Sequence, residues 1–170
     1  MKYLNSSKII IALFFLITTN SCVNPFAPNL DNGIAAETSL ISDLSSIDGV
    51  FQNLQYSYTF RDTTIYGELL SKDFIFTFRD YDKEVDIAWG RTDEMHVTYG
   101  LFNNSERLDL IWNKIVAISK DSTNVVRSFN LTVTFNPTDI RYVDGKVNLQ
   151  LSKNLKNKWQ IVTWIDESNF

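Results

Sequence analysis

The chain has 170 residues, 44% of them hydrophobic and 14% aromatic, which suits one domain with a real core and excludes a disordered chain. Its net charge of −4 disfavours nucleic acid as a partner, and one Cys and one His exclude an internal disulfide framework or Cys/His metal cluster. No cofactor and no metal are implied.

Residues 1–21 read as a secretory signal. Lys2 and Lys8 form a positive start, Ile9 to Thr18 is apolar but shorter than the ~20 residues of a membrane span, and Thr19-Asn20-Ser21 is a small polar end. The only cysteine, Cys22, follows at once. This junction resembles the lipobox of bacterial lipoproteins, which implies cleavage before Cys22 and acylation of its sulfur. Ser21 fits the small residue before the cysteine, whereas Thr19 departs from the usual Leu. The competing reading is an ordinary signal cut at the same bond, which leaves a free thiol in an oxidising compartment. The lipoprotein reading places the protein in the bacterial cell envelope, held to the membrane through Cys22. The outer membrane is favoured, with the periplasmic or surface side left open. Loss of Lys2 and Lys8 takes the net charge from −4 to −6. Residues 22–36 carry Pro25, Pro28 and Gly33 without a usable period and read as an extended tether.

Residues 37–170 are expected to fold as one domain. Ile41, Leu44, Ile47, Phe51, Leu54 and Tyr58 recur at helical spacing, so a first helix is predicted from Thr38 or Ser39, its cap, to about Arg61. Gly49 within it costs about 1 kcal/mol relative to Ala. Asp62 caps a second helix, Thr63 to Leu70, and Ser71-Lys72-Asp73 reads as a turn. A strand follows with Phe74, Phe76 and Phe78 on one face, then a charged connector from Arg79 to Asp86. Thr92 is read as the cap of a third helix, with Asp93 and Glu94 at its positive end.

Strands fill the rest. Leu108, Leu110 and Trp112 share one face, as do Phe129, Leu131, Val133 and Phe135, while Asn130, Thr132 and Thr134 face the other way. A strand over Ile140 to Val143 is predicted to turn at Asp144-Gly145, followed by Val147, Leu149 and Leu151 on one face. In the closing strand, simple alternation puts Trp159, Ile161, Thr163 and Ile165 opposite Gln160, Val162, Trp164 and Asp166. Helices followed by antiparallel strands give an α+β fold with helices on one face of a curved sheet.

Three patterns occur in order: Tyr58-Thr59-Phe60-Arg61-Asp62 leading to Leu69-Leu70-Ser71-Lys72-Asp73-Phe74, Trp89-Gly90-Arg91 entering a helix that ends Leu101-Phe102, and Lys158-Trp159-Gln160-Ile161 with Trp164 and Asp166. Together they resemble the NTF2-like superfamily, which includes SnoaL-like and ketosteroid-isomerase-like proteins, over about residues 38 to 168. The resemblance implies three helices on a strongly bent, mainly antiparallel sheet, often dimeric. It also implies a cavity that serves enzymes in some members and only binding in others.

Ketosteroid-isomerase-like members use a carboxylate base with Tyr and protonated-acid donors. By position Tyr56 or Tyr58 supplies the Tyr. The predicted inner faces of the three middle strands contain no Asp or Glu, which argues against proton transfer. His96, the only histidine, lies early in the third helix and is read as a surface or packing residue, with catalysis the weaker alternative. The run from Asp80 to Asp86 lacks the Gly and Glu of an EF-hand, because Val85 and Arg91 stand at those positions. The cavity-lining candidates are Tyr58, Phe76, Trp89, Trp112, Phe129 and Trp164, with an apolar ligand in view.

Three readings follow. The first is a lipid-anchored, non-catalytic module that binds a small apolar ligand or a protein. The second is a SnoaL-like isomerase, hydrolase or dehydratase using Tyr58, His96, Asp80 or Asp82. The third is a structural module that dimerises through the sheet's outer face, where Asn130, Thr132, Thr134, Asn148 and Gln150 would sit.

Overall fold

The computed structural model describes residues 41–168. The signal segment, Cys22, the tether and the caps proposed at Thr38 and Ser39 lie outside the described residues. The elements are α1 (Ile47–Phe60), α2 (Thr63–Leu69), β1 (Leu70–Asp80), β2 (Val85–Gly90), α3 (Arg91–Asn104), β3 (Arg107–Ile118), β4 (Asn124–Asn136), β5 (Asp139–Lys153) and β6 (Trp159–Ser168). The strands form one six-stranded sheet in the order β2-β1-β6-β5-β4-β3. Only β1 and β6 run parallel; every other pair is antiparallel. The helices pack on one face of this sheet. The α+β class expected from the sequence is the fold observed.

Helix α1 starts later than its periodicity predicts. Ser46 is the N-cap, and its hydroxyl accepts from the Gly49 amide at 3.0 Å. The preceding residues form an irregular strap. Buried Asn53 clamps it by accepting from the Ser42 amide at 2.7 Å and donating to the Ser42 carbonyl at 2.8 Å. The Trp159 amide donates to the Leu44 carbonyl at 2.8 Å, so the strap also meets the start of β6. Leu44 still packs against the core, which is why the apolar period runs past the helix. Gly49 is needed because a Cβ there would lie 2.1 Å from the Asp43 carbonyl oxygen. Helix α1 ends at Arg61, whose left-handed backbone (φ 54°) lets its amide reach back to the Ser57 and Tyr58 carbonyls. Asp62 then caps α2 as expected, accepting from Thr64 and Ile65.

Three other readings change. Ser71-Lys72-Asp73 is not a turn but an irregular part of β1, where pairing with β6 shifts between Leu70 and Ile75. The charged connector is largely a hairpin, because Arg79 and Asp86 pair across β1 and β2. Gly90, not Thr92, is the N-cap of α3.

Asp144-Gly145 does not turn the chain. Strand β5 passes straight through it, and the hairpin lies at Asn136–Asp139, where the Asn136 carboxamide accepts from the Thr138 amide at 2.9 Å. Gly145 instead permits close packing, since a Cβ would lie 2.4 Å from the Ser168 Cα. No described glycine has positive φ, so the I′ turn reading fails on geometry.

The closing strand holds the most consequential correction. Gln150 pairs with Thr163 but Leu151 pairs with Ile161, so Val162 is an extra residue in β6. A one-residue bulge flips every later side chain. Trp159 and Ile161 therefore share the inner face with Trp164, Asp166 and Ser168, and the two tryptophans are not on opposite faces. Beneath them the core is fully buried at Val50, Leu54, Leu69, Leu149 and Ile161, each 0% exposed.

Candidate functional site

A cavity of about 500 Å³ opens between the helices and the inner face of the sheet. All six expected lining residues, Tyr58, Phe76, Trp89, Trp112, Phe129 and Trp164, line it. Strand register explains much of the aromatic wall. Phe76 lies opposite Trp89 on β2 and Trp164 on β6, and Phe78 lies opposite Asp166. The Phe76 and Trp89 rings stack at 4.8 Å between centroids, and Phe76 and Trp164 lie at 5.9 Å. On the far side Trp112 packs edge-on against Phe51 at 4.9 Å, and its indole N–H donates to the Phe51 carbonyl at 2.8 Å.

The wall is not free of carboxylates. Glu94 and Asp166 both line it, which corrects the expectation of an acid-free interior. The middle strands do present apolar inner faces as predicted; the acids arrive from α3 and from the bulged end of β6. Glu94 is in the first turn of α3, as read, but it points inward and is 5% exposed. Its Oε1 accepts from the Tyr66 hydroxyl at 2.6 Å and the Thr98 hydroxyl at 3.1 Å, and its Oε2 from the Trp89 indole N–H at 2.7 Å. One carboxylate thus ties α2, β2 and α3 together.

Asp166 is less constrained. Its Oδ2 accepts from the Ser168 hydroxyl at 2.8 Å, and its Oδ1 is buried without a partner among the described residues. Burial raises its carboxyl above the usual carboxylate range; the Ser168 contacts oppose this, and the charges of Glu94 and Glu167 add to it. Burial likewise raises the Tyr58 and Tyr66 hydroxyls. The nearby charges of Glu94 and Asp166 push Tyr58 further, so Tyr58, Glu94 and Asp166 form one electrostatic group. Both phenols stay protonated at neutral pH and can act as donors.

The remaining candidates fall at the rim or outside. Asp80 and Asp82 line the mouth, and Asp80 is paired with Lys83 at 2.8 Å. His96 is exposed, with its Nδ1 3.2 Å from the Thr92 carbonyl oxygen, and does not line the cavity; its role as a cavity base is withdrawn. Among the described residues no group of three or more His, Cys, Asp or Glu is placed to hold a metal. Sequence reasoning missed Glu94, Tyr66, Asp166 and Ser168. The available signal for Asp166 was its Trp164-x-Asp166 spacing, which survives the bulge.

No protein-family model matches the sequence, and no curated protein is significantly similar to it. Solved structures are similar in fold. The Kfla4162 protein of Kribbella flavida superposes with a TM-score of 0.63 at 9% identity, over 75% of this chain and 91% of that one. A Novosphingobium aromaticivorans protein provisionally assigned as a scytalone dehydratase gives 0.62 at 11% identity, over 73% and 82%. An NTF2-like protein of unknown function from Shewanella baltica gives 0.51 at 15% identity, over 71% and 89%. This chain has the NTF2-like fold. At such identities the likeness extends to architecture and not to activity. Within the NTF2-like cone, function must therefore be argued from the groups that line this cavity.

Proposed function

We propose that the domain binds a small organic molecule with an apolar body in the cone cavity and transfers a proton on it, as an isomerase or dehydratase would. Asp166 is the acid–base group, Tyr58 a hydrogen-bond donor to the reacting oxygen, and Glu94 a fixed acceptor. The observation that carries this reading is the convergence of Tyr58, Glu94 and Asp166 on one stretch of an otherwise largely aromatic and aliphatic wall. A carboxyl raised by burial suits general acid–base work, and a half-buried, protonated phenol suits an oxyanion. The provisional dehydratase assignment of the Novosphingobium relative fits the same class of chemistry.

The test is hydrogen–deuterium exchange next to the carbonyl in a panel of small cyclic ketones, followed by NMR in deuterated buffer. Exchange by the native protein that falls about 100-fold or more in Asp166→Asn supports the reading. Native protein and variant that both match buffer reject it. Binding without turnover is the second reading, favoured by the complete satisfaction of Glu94 by three neutral donors.

The Ser21-Cys22 junction supports a lipid-anchored place in the cell envelope. Intact mass of membrane-extracted protein tests this, and an unmodified Cys22 rejects it.

A further inference from the structure

We propose that the ligand of this cavity is an organic cation: an amine or quaternary ammonium carried on an apolar body. This rests on the cavity being the ligand site, and it holds whether or not turnover follows.

Charge makes the first case. Asp80, Asp82, Glu94 and Asp166 line the cavity, and among the described residues Arg79 is the one basic residue that does. Arg79 is taken by Asp86 at 3.0 Å, and Lys83 beside the mouth is taken by Asp80 at 2.8 Å. Inside, Glu94 receives only neutral donors, and Asp166 receives Ser168 while its Oδ1 has no partner among the described residues. Buried carboxylates without a counter-charge are costly, and an anionic ligand would add a like charge beside them. A ligand cation supplies what the protein leaves out. At the mouth, with Asp80 paired to Lys83, the exposed Asp82 favours the approach of positive charge.

Ring geometry makes the second case independently. Phe76, Phe78, Trp89 and Trp164 form a continuous aromatic patch, with centroids 4.8 Å apart for Phe76–Trp89, 5.4 Å for Phe78–Trp89 and 5.9 Å for Phe76–Trp164. Their faces attract an ammonium group, most strongly where water is excluded. The cross-strand pairing of Phe78 with Asp166 sets a carboxylate at the edge of this patch, and the Trp89 indole N–H holds the other carboxylate, Glu94. An ammonium over these rings therefore lies within the field of both acids.

The test compares two probes of the same shape. One is para-hydroxyphenyl trimethylammonium; the other is para-tert-butylphenol, in which carbon replaces the charged nitrogen. Binding to the native protein is measured by titration of tryptophan fluorescence, and the site by NMR contacts between ligand methyl protons and tryptophan rings. The cation is expected to bind about tenfold more tightly, with methyl contacts to Trp89 or Trp164. In Asp166→Asn the preference should fall severalfold. Equal or tighter binding of the neutral probe overturns the proposal and leaves the cavity as a site for neutral ligands. Cation contacts confined to other tryptophans, or no binding of either probe at millimolar concentration, also overturn it. The native protein alone decides these outcomes, so they do not depend on a variant that folds. Failure of ketone exchange with the cation preference intact would reject turnover and not this ligand class.

Discussion

The Tyr66 hydroxyl and the Glu94 carboxylate meet in the interior at 2.6 Å, with both residues at least nine-tenths buried. Hydrogen bonds to a charged group are worth about 1.5–3 kcal/mol, and a carboxylate left short of donors loses more than the contact alone. Tyr66→Phe keeps the ring and removes only this donor. It is expected to lower stability by about 2 kcal/mol in urea unfolding with little change in the slope. An unchanged midpoint would mean that Glu94 does not depend on Tyr66.

Gly49 gives a prediction whose sign separates two readings. If it merely sat within a helix, Gly49→Ala would stabilise by about 1 kcal/mol. The added Cβ would lie 2.1 Å from the Asp43 carbonyl oxygen, so the strap must move instead. Destabilisation of about 1–3 kcal/mol is expected. Thermal melting of the variant decides it, and a gain in melting temperature would refute the strap geometry.

The sheet's outer face exposes Ile75 at 43%, Ile165 at 40% and Tyr142 at 77%. Partial exposure of large apolar groups beside uncharged Thr77 and Thr163 favours pairing of two copies. Light scattering at micromolar concentration is expected to show a dimer, and Ile165→Lys to shift it toward monomer. A native monomer at every concentration would count against this face.

Strand alternation made much of this fold legible. Leu108, Leu110, Val133, Val147, Leu149 and Leu151 were placed inward by parity alone, and all are buried. The errors have physical causes. The β1–β2 hairpin was hidden because its charges pair across strands, Arg79 with Asp86, rather than marking a loop. Helix α3 buries Glu94 and Thr98 while Val97 and Tyr99 are more than half exposed, which inverts the usual rule. A reversed face of this kind is a signal that a helix lines a site. The bulge at Val162 breaks the alternation and misplaced Trp159 relative to Trp164, whereas Asp166 was overlooked because inward acids were sought only on the three middle strands. The misses at Glu94 and Asp166 fell on the cavity, where burying polar groups overrides the patterns that specify a core.

Asp166 links this cavity to pH. Burial raises its carboxyl in the folded protein, the Ser168 contacts oppose the rise, and Glu94 and Glu167 reinforce it. Tyr58, which faces the same acids, stays neutral because burial raises it as well. A raised acid holds a proton in the folded state that the unfolded chain has already released. Its contribution to stability is therefore complete below the ordinary carboxylate value of about 4 and is lost as pH rises through the raised value. Every pH unit of elevation corresponds to about 1.4 kcal/mol. Asp166→Asn cannot titrate, so its stability relative to the native protein should climb across that window and level off above it. Urea unfolding from pH 3 to 8, run on both proteins, checks the slope; parallel curves would mean that Asp166 titrates like an exposed carboxyl. A bound organic cation should oppose the effect, because it favours the ionised acid and recovers at neutral pH part of what burial costs.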